Sequence, residues 1–139
     1  MTEFSKHGAF TLSVDGRLLV VEVEGPWNLE LIRSYGEETG PIAEAMARTG
    51  PWVLISIAKR SALFTPEAIE ALRQTAITHV RRMGRIATVY VVDPTVEGYH
   101  LVDAIFESVY RGVCEVAVFE TRAEAEAWAY EQLSRVKRP

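Results

Sequence analysis

Residues 52–57, Trp52-Val53-Leu54-Ile55-Ser56-Ile57, form an apolar, largely β-branched run that opens just after Gly50-Pro51. A run of this length between breakers reads as a strand buried on both faces, the pattern of a parallel sheet. Downstream, Thr65-Pro66-Glu67 combines a hydroxyl cap, a proline at the first helical position and an acid in the first turn, which marks a helix start. Ile69, Leu72, Ala76, Val80 and Met83 then recur at helical spacing, and Gly84 supplies a left-handed terminator. Arg85 leads into Ile86-Ala87-Thr88-Val89-Tyr90-Val91-Val92, a second central strand that stops at Asp93-Pro94. Strand, helix and strand in this order imply a right-handed parallel crossover.

The same alternation extends in both directions. Phe10, Leu12 and Val14 alternate with Thr11, Ser13 and Asp15 over residues 8–15, Asp15-Gly16 makes a turn, and Arg17 to Glu24 is extended again, which predicts a β-hairpin at one side of the sheet. From Asn28 to Arg48, Leu29, Ile32, Tyr35, Ile42, Ala43 and Met46 fall three and four apart, an amphipathic helix in which Gly40-Pro41 predicts a kink or a division into two shorter helices. Leu101, Val102, Ile105, Phe106 and Val109 make another helical stripe closed by Gly112. Val113 to Phe119 reads as a strand with Cys114 as a small buried hydrophobe, and Thr121-Arg122-Ala123-Glu124 is a capping box opening a last helix. The tail from Arg135 to Pro139 is expected to fray. The expected fold is α/β, one domain over residues 1–139, with a mixed, mainly parallel five-stranded sheet in the order ββαβαβαβα.

Composition narrows the functional classes. With 139 residues and 48% hydrophobic side chains the chain can bury a sizeable core. Its longest apolar stretch, Ile86 to Val92 with Thr88 allowed, is far short of the ~20 residues a membrane-spanning helix needs, so no integral membrane association is expected. The N-terminal MTEFSKHGAF lacks the basic start and apolar core of a signal peptide, which points to the cytoplasm. A single cysteine excludes an intramolecular disulfide and a CxxC motif. His7, His79 and His100 are too scattered for a metal site and are expected to be surface or half-buried residues, and no cofactor motif is present. A pI of about 5.4 argues against nucleic-acid binding. The charge is nevertheless partitioned: residues 59–85 hold six basic and two acidic side chains, between two acidic flanks. Within this segment Arg81, Arg82 and Arg85 are expected at a helix end, where cations meet the carbonyl end of the dipole.

In a sheet of this kind ligands sit beyond the carboxyl ends of the parallel strands, here the loops 58–65, 93–98 and 120–121. Lys59, Arg60 and Ser61 supply donors next to the helix that Thr65 opens, and Asp93 ends the neighbouring strand. This set suits a small anion or an acidic partner, although the loop lacks the glycines that wrap a phosphate. Alternatively it is a solvated connection. Ser61, Asp93 and His100 allow a hydrolase-like trio as a second reading, without the G-x-S-x-G elbow. Trp27, Trp52 and Trp128 stand at element edges where they seal a core. Phe64, Tyr99, Phe106 and Tyr110 line either that core or an apolar cavity.

The hairpin, the acidic helix, Trp52–Ile57, Phe64-Thr65-Pro66-Glu67-Ala68, Arg85–Val92 and Val116-Ala117-Val118-Phe119 leading to Ala123-Glu124-Ala125-Glu126-Ala127-Trp128 together resemble the SpoIIAA-like family of small bacterial STAS/CRAL-TRIO-type domains. The STAS side of the resemblance implies a regulatory domain, and the CRAL-TRIO side implies a lipid or other hydrophobic ligand. Partner-switching members carry a phosphorylated serine at the helix start, where this chain has Pro66, so phosphorylation-driven switching is not expected. The combined expectation is a non-enzymatic binding or regulatory domain and a homodimer. Its partner is a small anionic or lipid-like ligand, or another protein, held at Lys59, Arg60, Ser61, Thr65 and Asp93.

Overall fold

A computed structural model describes residues 10–136. The signal-peptide reading of the N-terminus, the placement of His7, the first two residues of the hairpin and the fate of residues 137–139 lie outside the described residues. The elements run β1 (Phe10–Asp15), β2 (Leu18–Glu24), α1 (Leu29–Ala47), β3 (Trp52–Lys59), α2 (Pro66–Arg82), β4 (Arg85–Val92), a short 3-10 turn (Tyr99–Leu101), α3 (Val102–Tyr110), β5 (Glu115–Phe119) and α4 (Arg122–Ser134). This is the expected α/β layout.

The five strands lie in space in the order β1-β2-β3-β4-β5; β1 and β2 are antiparallel and every later pair is parallel. Asp15 pairs with Leu18 across a two-residue turn, and Gly16 at φ +61° takes the first central position, which a side chain would strain. Successive right-handed crossovers place α1, α2 and α3 on one face. There Leu19, Val21 and Val23 of β2, Leu54 and Ala58 of β3 and Tyr90 and Val92 of β4 pack with Ile32, Tyr35, Leu72, Ala76 and Phe106. The alternate residues, Leu18, Val20, Val53, Ile55, Ile57, Ala87, Val89 and Val91, form a second core under Ala125 and Ala129 of α4, with Trp128 and Leu133 beside them. β3 is therefore buried on both faces, as its unbroken apolar run requires.

Several expectations need correction. Pro41 does not divide the first helix: α1 is continuous through it. Both Pro41 and Glu37, whose carbonyl loses its amide partner, lie on the exposed side where water can replace the bond. Val14 is 47% exposed and Leu101 54%, so neither belongs to its apolar stripe; each sits at an element end, beyond the cover of the opposing layer. Cys114 precedes β5 and is half-buried, because Gly112 at φ +74° and the amides of Val113 and Cys114, both donating to the Tyr110 carbonyl, delay the strand until Glu115. In α2 the buried residues are Ala68, Leu72, Ala76 and His79, with Val80 and Met83 at the margin. Of the two readings open for the aromatics, Phe64, Phe106 and Tyr110 take the core: Phe106 stacks on Tyr90 with centroids 3.6 Å apart and meets Phe64 edge-on. Tyr99 instead stays near the surface and donates its hydroxyl to Glu120.

Candidate functional site

At the carboxyl end of β3 the chain makes a tight reversal around one residue. The Ser61 amide donates to the Lys59 carbonyl at 2.7 Å, and the enclosed Arg60 has φ +66°. An i to i+2 bond with positive φ is the strained form of the γ-turn, and a non-glycine residue there costs about 1–2 kcal/mol. Neighbouring loops hold the reversal in place. Arg60 accepts from the Glu97 amide at 2.9 Å, Ala62 donates to the Glu97 carbonyl at 2.8 Å, and Gly25 donates to Lys59 at 3.2 Å. Gly25 is required by that approach, since a Cβ there would stand 2.2 Å from the Ser61 oxygen. Beneath, Trp27 and Leu63, then Thr65 and Trp27, exchange backbone bonds, and the Trp27 ring stacks on Phe64 at 4.7 Å.

This frame sorts the residues expected to bind. Lys59 and Arg60 are exposed, Arg60 with 74% of its side chain free and a 3.5 Å ion pair to Glu24. Asp93 is exposed as well. Its carboxylate accepts from the Thr95 hydroxyl at 2.7 Å and amide at 2.8 Å, and these bonds, helped by the charge of Lys59, hold it below the usual carboxylate range. Ser61 and Thr65 are spent on structure. Ser61 is buried and its Oγ accepts from the Leu63 amide, while Thr65 caps α2 by accepting from the Ala68 amide. His100 is exposed and meets Tyr99 edge-on; no hydrogen bond among the described residues joins Ser61, Asp93 and His100.

The amino end of the sheet holds a cluster that sequence reasoning missed. Arg85 is not a helix-end cation: it is the first residue of β4 and only 2% exposed. Its Nη1 donates to Thr88 Oγ1 at 2.9 Å and its Nη2 to His79 Nδ1 at 2.8 Å, and its guanidinium carbon lies 5.8 Å from the Trp52 ring centre. The Nε proton has no partner among the described residues, and neither does the hydroxyl of buried Tyr35. Tyr90 and Tyr110 join hydroxyls at 2.7 Å beside this group. Burial pushes the Tyr35 phenol up to about 12, with Arg85 opposing, and it raises those of Tyr90 and Tyr110. His79 is buried, not the surface or half-buried residue expected; desolvation and then the Arg85 charge bring it down to about 3, so it is neutral. Burial also raises the Cys114 thiol, whose Sγ is 3.6 Å from Thr88 Oγ1. A signal was present in Gly84: once a left-handed glycine ends the helix, the next residue belongs to the strand and its side chain enters the core layer.

Chemically, the carboxyl end offers exposed cations on a rigid turn, and the amino end offers a buried guanidinium without an acidic partner among the described residues. No three or more His, Cys, Asp or Glu side chains among the described residues gather to hold a metal ion. No helix among them is long and apolar enough to cross a membrane. In comparison with known proteins, the chain matches no family model and no curated protein sequence at a significant level.

Proposed function

We propose that this chain is a non-enzymatic binding or regulatory domain of STAS-like type, which engages an acidic group on a small amphipathic ligand or a protein partner through Lys59 and Arg60. The observation that carries this reading is the left-handed conformation of Arg60. A strained residue persists where its surroundings over-determine it, and such positions concentrate at binding sites. Here backbone bonds from two other loops hold the turn while leaving its side chain in solvent, the arrangement of a presented ligand contact. Asp93 beside Lys59 limits the local positive charge and favours an occupant that also donates a hydrogen bond. A homodimer remains part of the proposal, with sedimentation velocity as its measurement.

The test compares wild type with a Lys59→Ser, Arg60→Asn double variant, both purified from the native host and examined by native and denaturing mass spectrometry. Asparagine tolerates the left-handed conformation and removes the charge. A molecule or protein retained by wild type and lost from the variant supports the reading; identical retention in both overturns it.

A further inference from the structure

β5 ends the sheet on one side, and among the described residues its only strand neighbour is β4. Native edges are commonly blunted by proline, lysine or a bulge, because their unpaired amides and carbonyls recruit another strand. β5 has none of these: it reads Glu-Val-Ala-Val-Phe and keeps an unbroken register with β4. It is also apolar on both faces. Val116 and Val118 pack against the core under the first three helices, and Ala117 and Phe119 against the core under α4. All four are only half-buried, whereas Thr88 to Val91, their register partners on β4, are buried. That is the exposure of a strand covered from one side only.

A strand added at this edge must be apolar on both faces as well. The opposite edge of the sheet does not qualify. β1 turns Phe10 and Leu12 to the core but sets Thr11, Ser13 and Asp15 on its other face, so pairing it with β5 of another copy would lay hydroxyls and a carboxylate beside Ala117 and Phe119. A second β5 does qualify. Val116-Ala117-Val118 reads the same in both directions, so a two-fold axis through Ala117 opposes Val116 to Val118 twice on one face and Ala117 to its own copy on the other. The same register sets Glu115 across from Phe119 and leaves the two Glu115 carboxylates at opposite ends of the pairing, whereas parallel stacking would oppose each glutamate to itself. We propose that β5 pairs antiparallel with β5 of a second copy about Ala117, joining two five-stranded sheets into one of ten strands. This inference rests on the homodimer proposed above and assigns its interface.

Sedimentation velocity of the full chain is expected to show a dimer at sub-millimolar concentration. Ala117→Lys, which opposes two ammonium groups at the axis, is expected to weaken that dimer at least about ten-fold. Cysteine cross-linking reads the register, in a Cys114→Ser background because Cys114 is the only thiol of the chain. Across an antiparallel pair the two Cα atoms at position 117 stand about 4.5–5.5 Å apart, within disulfide reach, and those at position 115 about 14 Å apart. Mild oxidation should therefore link Ala117→Cys chains into a covalent dimer and leave Glu115→Cys chains unlinked. A monomer overturns this inference together with the homodimer on which it rests. A dimer that a folded Ala117→Lys variant leaves unchanged, or in which Ala117→Cys fails to link or Glu115→Cys links as readily, overturns this inference alone. Should Ala117→Lys fail to fold, the cross-link pattern decides, since Ala117→Cys adds only a thiol to the half-buried strand.

Discussion

Arg85 Nη2 stands 2.8 Å from His79 Nδ1, and because a guanidinium can only donate, the imidazole must accept at Nδ1 and carry its proton on Nε2. Protonating His79 would place two cations in contact inside the core. Its pKa is about 3 when folded and near 6.5 when unfolded, so the unfolded chain binds this proton first. The stability associated with neutral His79 is complete above pH 6.5, declines as pH falls below that value and is lost by about pH 3. One proton corresponds to a slope of about 1.4 kcal/mol per pH unit, or about 2 kcal/mol between pH 6.5 and 5. Urea unfolding at pH 7, 6 and 5 should show a shallower decline for His79→Gln than for wild type; parallel declines would show that this histidine does not control acid sensitivity.

Replacing Arg60 by glycine should stabilise the fold. The substitution relieves the left-handed strain and loses part of that gain to the freer unfolded chain, leaving about 0.5–1 kcal/mol. Arg60→Val should instead destabilise, because a β-branched side chain fits this conformation worst. Thermal unfolding of the two variants beside wild type checks the order, and a glycine variant less stable than wild type contradicts it.

Trp52 is fully buried, and its indole Nε1 donates to the Met83 carbonyl at 2.5 Å, tying β3 to the end of α2. Trp52→Phe removes that donor, leaves the carbonyl short of a partner and opens space beside Arg85. The expected loss is about 2–3 kcal/mol, read from chemical denaturation.

A long-range arginine closes the carboxyl end of α1. Arg17, in the hairpin turn, donates to the carbonyls of Met46, Gly50 and Pro51 and to the Thr49 hydroxyl. Arg73 does the same for α3, with Nη1 on the carbonyls of Ser108, Val109 and Arg111. Arg17→Met should lower stability by about 2 kcal/mol. Arg17→Lys should recover only part of it, since an ammonium cannot reproduce the fork. Equal stability of the lysine variant and wild type would reduce the interaction to simple charge.

What was legible in the sequence was local. The β-branched runs of β3 and β4, the Thr65 cap and the Thr121 start of α4 each declare themselves within a few neighbouring residues, and all stand where expected. The site was only partly legible because its shape comes from contacts between distant loops. Nothing adjacent to Arg60 predicts a positive φ; Gly25 and Glu97 impose it. Ser61 and Thr65 looked available because hydroxyls suit ligands and backbone caps equally, and the backbone claimed both. Arg85 was assigned to the helix by its proximity to Arg81 and Arg82, whereas the intervening Gly84 turned it inward.

The order of the strands in space is their order along the chain, and among the described residues α4 alone covers the second face. A ribosome therefore releases this protein in the sequence in which it is assembled, each new strand meeting an edge already formed. Until residues 122–134 emerge, however, Val53, Ile55 and Val89 have no helix over them, and the nascent sheet presents an adhesive apolar surface. Chains truncated before α4 should be retained by chaperones or aggregate, however much of the sheet they already contain.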